Sequence, residues 1–146
     1  MKEKEIWKPI EGYEGIYEIS NLGRVKSLAR LDTIGRRIRE RIMKCQPNKD
    51  GYLNITLKNE NGKKTYLLHR LVAMHFVENP HGHDEINHID VDPANPKASN
   101  LEWCTREYNV NYADAIEKTI KANQKKVIQL SKDNRYIKTH ESIKDA

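Results

Sequence analysis

An α+β fold is expected for this chain, with a small β-hairpin module first, a strand, loop, strand and helix unit at its centre, and a basic helical extension last. Three observations predict it. Apolar and polar residues alternate in two runs, "GIYEISNLGRVKSL" and "GYLNITLKNENGKKTYLL", each broken by a turn-forming cluster, which is the pattern of hairpins. The period then changes to helical spacing in "LHRLVAMHF". Charge is segregated: the net +5 divides into +6 over residues 24–44 and +5 over 118–146, against −4 over 45–117 and −2 over the first 23. Two basic arms flank an acidic middle. Such arms are often plain solvated surface, but they also suit a polyanion whose phosphates need neutralising.

A chain of 146 residues suffices for one modest core with an appendage. It is 37% hydrophobic and 32% charged, and no apolar run approaches the roughly 18 to 20 residues of a membrane span, so no membrane partner is expected. The first residues, "MKEKEIWKPIEGYEG", carry no apolar export segment, and a cytoplasmic setting is expected. Cys45 and Cys104 form no C-x-x-C pair. That argues against a zinc ribbon or a disulfide framework and for two reduced thiols in packing positions.

Taken in order, the first hairpin should bury Ile16, Ile19, Val25 and Leu28 and carry Arg24 and Lys26 on an exposed edge. The second should place Tyr52, Leu53, Ile55 and Leu57 before the turn "NENG" and Tyr66 after it. Leu68, Leu71, Val72 and Phe76 then share one face of a helix that must stop before Pro80. His69 and His75 are six residues apart, unlike the i, i+4 pair of a zinc helix, and read as structural. His81 and His83 in "NPHGHDE" read as polar loop.

The richest stretch is "INHIDVDPANPKASNLEWCTREYNVNY", residues 86–112. "EINHI" and "LEWCT" predict two strands around a turn-rich loop. Thr105 is placed to cap a helix running through "REYNVNYADAIEKTIKANQKK", with Glu107 in its first turn and lysines toward its end, as the helix dipole favours. Asn109 is expected to face outward from the opening turn. This unit can bring Asn87, His88 and Asn109 together.

At these residues the chain resembles the HNH nucleases, in particular the phage and intron-associated homing endonucleases. "HRLVAMHFVENP", "INHID", "NLEWCT" and "EYN" occur in that family's order, and "WKPIEGYEGIYEISNLGRVKSL" resembles the modular DNA-binding motif that often precedes them. The resemblance implies a ββα-metal core. It places the general-base histidine on His88, the metal-binding positions on Asn87 and Asn109, and the middle asparagine, which orients the histidine-bearing segment, on Asn100. Oxygen ligation implies Mg²⁺, or Mn²⁺, over zinc. The partner implied is double-stranded DNA, bound by a monomer in a bacterial or phage-infected host cell.

The organisation expected is an N-terminal DNA-binding hairpin module over 1–50, an HNH nuclease core over 51–113, and over 114–146 a basic linker helix with the start of an incomplete DNA-binding module. The last piece rests on "VIQL", a turn at "KDN", "RYIKT" and a helix opening at Ser142. Charge density nominates Arg24, Lys26, Arg36, Arg37, Arg39, Arg41, Lys118, Lys121 and Lys125 as DNA contacts. Two residues depart from the family's loop. Val91 stands where relatives commonly have glycine and Pro96 where they have one of two paired asparagines, so the loop must turn differently or bear strain. The function expected is metal-dependent phosphodiester hydrolysis that nicks one strand per monomer. A nuclease-derived DNA-binding protein without activity is the alternative, and an RNA-binding module a third reading that only the basic arms support.

Overall fold

The computed structural model describes residues 2–123 together with the strands 127–130 and 136–140. It resolves into two compact units, Met1–Asn109 and Val110–Ala146.

The first unit begins with β1 (Trp7–Pro9), β2 (Tyr17–Ser20) and β3 (Val25–Ser27). A side hairpin of β4 (Arg30–Leu31) and β5 (Arg37–Ile38) follows, then β6 (Arg41–Ile42) and β7 (Gln46–Pro47). The long hairpin is β8 (Leu53–Asn59) and β9 (Gly62–Leu67), leading without a linker into α1 (Leu68–Phe76). Last come β10 (Glu85–His88), a single 3-10 turn at Ala98–Asn100, β11 (Leu101–Cys104) and the start of α2 (Arg106–Asn123).

β1, β2, β3 and β6 form one antiparallel sheet in that order, while β7, β8 and β9 form a second. The buried side of the first hairpin is Tyr17, Ile19, Val25 and Ser27. Ile16 packs only at the margin of the core and Leu28 is half-buried. The expected buried set mixes two parities, and period two admits one. Nor is there a free edge at Lys26, because β6 pairs with β3 there, Lys26 opposite Ile42.

One hydrophobic cluster joins Ile10, Tyr13, Tyr17, Ile19 and Val25 to Ile55, Leu57, Leu68, Leu71, Val72, Ile86 and Leu101. The boundary expected at residue 50 therefore runs through a continuous core. α1 spans the segment its spacing predicts, with Leu68, Val72 and Ala73 fully buried. Its end at Phe76 precedes Pro80 because Val77 is already extended.

In the second unit, the residues of α2 from Val110 onward are largely exposed. β12 (Val127–Leu130) and β13 (Tyr136–His140) form an antiparallel pair with a register shift at Gln129/Leu130, where the sequence predicts "VIQL" and "RYIKT" as strands. Ser142, the "KDN" turn and Lys125 lie outside the described residues. No helix among the described residues is long and apolar enough to cross a membrane.

Candidate active site

β10 and β11 pair with Asn87 opposite Glu102 and His88 opposite Leu101. Alternation then sorts the strand: Glu85 and Asn87 share one face, Ile86 and His88 the other. All of Ile86, Asn87 and His88 are buried.

The loop after His88 is held by Asn100. Its side-chain Oδ1 accepts the Asp90 N–H at 3.0 Å, and its Nδ2 donates to Asp90 Oδ1 at 2.8 Å and to the Asn95 carbonyl at 3.0 Å. The Asn100 carbonyl accepts the Ile89 N–H at 2.9 Å. A buried carboxamide with every polar atom engaged fixes the loop's path more firmly than turn propensity could. Hydrogen bonds from the Asn95 side chain, the Asp92 N–H and Asn100 hold the Asp90 carboxyl below the usual carboxylate range.

The loop bears strain at the predicted place. Val91 has φ 63°, the only positive φ of a non-glycine among the described residues, and its N–H closes a turn on the His88 carbonyl at 2.9 Å. The loop keeps a glycine-like backbone and accepts the cost of a β-branched residue in it. Pro96 has a packing role, because a Cβ on Gly23 (φ 78°) would lie 2.4 Å from Pro96 Cγ. Ala98 N–H donates to the Asn21 carbonyl at 2.8 Å and Ser99 Oγ to Glu3 Oε2 at 3.2 Å. The turn between β2 and β3 and the segment before β1 thus brace the loop that carries the proposed site.

His88 has an unforeseen neighbour. The His69 ring lies 4.9 Å from it in an edge-on arrangement, with Tyr52 5.1 Å from His69 and 5.7 Å from His88. His69 Nδ1 and His88 Nε2 are buried without hydrogen-bond partners. Burial, then the neighbouring His88 and Arg70, pushes His69 down to about 4. Burial also pushes His88 down, against an opposing pull from Asp90 and Asp92. Both imidazoles are therefore neutral at pH 7. His69 reads from the sequence as structural, and its i, i+3 relation to Val72 on the buried helix face is the signal that it points into the core. His75 is structural too, with Nδ1 on the Leu71 carbonyl at 2.7 Å and Nε2 accepting the Glu11 N–H at 3.2 Å.

The amides lie on the other face of β10. Asn87 Nδ2 donates to Glu102 Oε1 at 2.7 Å. Asn109 is half-buried, not outward-facing, and its Nδ2 lies 3.5 Å from Glu85 Oε2. α2 is aimed there by its cap, the Tyr108 N–H meeting Thr105 Oγ1 at 3.2 Å. Among the described residues, no group of three or more His, Cys, Asp or Glu side chains is placed to hold a metal ion. With each Nδ2 turned toward a carboxylate, the two amide oxygens are the donors a hard cation could use, and such a set fits Mg²⁺ or Mn²⁺ better than zinc.

Of the basic side chains nominated for DNA, Arg24 is ion-paired with Glu5, and Lys26 with Glu18 at 3.2 Å while lying 4.2 Å above the Trp7 ring. Arg36, Arg37, Arg39 and Arg41 are exposed, and none has an ion pair among the described residues. Arg39 and Arg41 line a cavity of about 350 Å³ with Arg30 and Tyr17. On α2, Lys118 is exposed and Lys121 pairs with Glu117 at 2.7 Å.

A histidine and an asparagine adjacent on one strand, though on its opposite faces, a loop pinned by a second asparagine, and a third asparagine delivered by the following helix are the residues expected of the ββα nuclease class. Comparison with known proteins agrees. Residues 5–58 match the NUMOD4 motif. The chain is 37% identical over 139 residues to DNA endonuclease I-HmuI of Bacillus phage SP01, covering 87% of this chain and 73% of that one. It is also 37% identical over 151 residues to an uncharacterised HNH endonuclease of Acanthamoeba polyphaga mimivirus, covering 99% of this chain and 35% of that one. The chain thus spans about a third of that relative's length. A solved structure on DNA binding and cleavage by the HNH homing endonuclease I-HmuI matches with a TM-score of 0.59 and 34% identity, covering 95% of this chain and 79% of that one. The chain belongs to the HNH homing endonuclease family.

Proposed function

We propose that this protein is a metal-dependent DNA endonuclease that nicks one strand of a duplex, with His88 as general base. The observation that carries the reading is the β10 pair Asn87–His88, with Asn109 brought to the same strand through Glu85. His88 Nε2 is enclosed, so Nδ1 is the nitrogen that takes a proton from the attacking water. Burial keeps the ring neutral and ready to accept that proton near pH 7. Asn100 holds the loop so that the ring does not swing away, which is a positioning role.

Asn87 and Asn109 would hold a divalent cation, Mg²⁺ or Mn²⁺, which when bound stabilises charge on the scissile phosphate and on the departing 3′ oxygen. The products are a 5′ phosphate and a 3′ hydroxyl. One histidine site per chain acts on one strand, and the chain works as a monomer. Duplex DNA is gripped by the exposed arginines Arg36, Arg37, Arg39 and Arg41, and Lys118, Lys121 and Lys125 add phosphate contacts; Arg24 and Lys26, held by carboxylates, contribute only if DNA displaces those partners.

Incubation of the purified chain with supercoiled plasmid tests the reading. Conversion to the open circle with Mg²⁺ or Mn²⁺, and none with EDTA, is expected. Retained DNA binding without conversion under any metal would leave a nuclease-derived binding protein in its place.

A further inference from the structure

We infer that Glu102 is the anionic anchor of the cation site: it fixes the Asn87 carboxamide and supplies the negative charge that the two neutral amides lack. The inference rests on the metal-dependent reading above.

Asn87 and Glu102 are directly opposite across the β10–β11 ladder, and the 2.7 Å bond from Asn87 Nδ2 to Glu102 Oε1 occupies the nitrogen end of the carboxamide. Asn87 is only 4% exposed, so the side chain has no room to sample other poses. Its amide cannot flip without setting Oδ1 against a carboxylate, so Oδ1 is committed to the ligand side. The Tyr108 hydroxyl donates to the same Glu102 oxygen at 3.2 Å. Two donors on one atom hold that carboxylate in a single rotamer. Glu85 stands toward Asn109 in the same sense, its Oε2 3.5 Å from Nδ2, but at that length it is the weaker of the two.

Charge is the second part. A carboxamide oxygen is a poor competitor with water for a divalent ion, and a carboxylate one residue behind it both polarises the amide and attracts the cation. Among the described residues neither Glu85 nor Glu102 is ion-paired to a basic side chain, so no cation among them neutralises that charge. A bare structural ladder contact needs no charge here; a neutral carboxamide opposite Asn87 would serve it as well.

The test is Mn²⁺ binding by the full chain, read from the loss of the free-ion electron paramagnetic resonance signal, with a short duplex present and the duplex alone as blank. Glu102→Gln keeps the size and an acceptor while removing the charge. It should raise the Mn²⁺ dissociation constant roughly tenfold with an unchanged melting temperature, and Glu102→Ala should raise it at least as far. Parent-like Mn²⁺ binding by Glu102→Gln would overturn the inference; if Asn87→Ala still weakens binding, the metal reading itself survives. Parent-like binding by Asn87→Ala would remove that reading and the inference with it. Thermal melting gives a check that no loss of activity can mimic. Asn87→Asp sets two carboxylates opposite each other, so the variant should melt below the parent without metal and recover on adding Mn²⁺. Melting unaffected by Mn²⁺ would also overturn it.

Discussion

The stretch from β10 to the start of α2 and the arginine segment from Arg36 to Arg41 answer different physical demands. In the first, His88, Asn87 and Asn100 are at most 9% exposed, and Asn100 alone directs three hydrogen bonds across one loop. In the second, four guanidinium groups stand exposed on strands only two residues long and on the links between them. Groups that must meet a reacting atom are fixed before substrate arrives. Groups that meet a backbone of repeating charge need only be available.

Breaking the fixed region should cost most. Asn100→Ala strands the Asp90 N–H and the Asn95 carbonyl and opens the loop, and should destabilise the chain by about 3 kcal/mol in urea unfolding while lowering any cleavage rate further than stability alone explains. A loss under about 1 kcal/mol would mean the loop is held by its prolines.

Acid should loosen the same region through His69. Its folded pKa of about 4 lies below its ordinary 6.5, so the unfolded chain binds the proton more readily. The contribution is fully present above about 6.5 and is lost as pH falls toward 4. The shift corresponds to about 3 kcal/mol, and His69→Phe, which keeps a ring against His88 without a titrating group, should flatten the stability profile over that window. An unchanged profile would place the acid sensitivity elsewhere.

Val91→Gly sharpens the comparison by relieving strain inside the fixed loop. With φ at 63°, the valine should cost about 1 to 2 kcal/mol, so the glycine variant should melt higher despite its more flexible unfolded chain. A lower melting temperature would show that the exposed valine side chain is packed to advantage.

The smallest effects belong to the available region. Each of Arg36→Ala, Arg37→Ala, Arg39→Ala and Arg41→Ala that removes a phosphate contact should reduce the salt dependence of DNA binding by about 0.9 in log-log slope, with no change in melting temperature. Slopes unaltered in all four would mark the segment as surface.

The sequence shows the two regions unequally. α1, the long hairpin, β10, β11 and the Thr105 cap are legible because each carries a full period or a capping residue. β1, β4, β5, β6 and β7 are not, since two or three residues hold too little alternation to register. Hydrophobicity weighed before parity selects Ile16 over Tyr17 as the buried residue, and parity is what the sheet obeys. Of the residues proposed for the site, His88, Asn87 and Asn100 are nominated by spacing and family pattern, as is the strain at Val91, whereas the neighbours His69 and Glu102 are not. Their places follow from packing of α1 against β10 and from strand register, neither of which lies in a local pattern. Register is the usable signal for Glu102: once the loop between "EINH" and "LEWC" is fixed, Asn87 and Glu102 fall opposite.

The central claim is that chemistry and grip are separable, with His88 serving only the first. It is met most directly by measuring cleavage rate and duplex affinity side by side on the parent and on His88→Ala. The account predicts a rate lower by about 10² to 10⁴ with affinity within about twofold of the parent. A folded His88→Ala protein that nicks at the parent rate would contradict it.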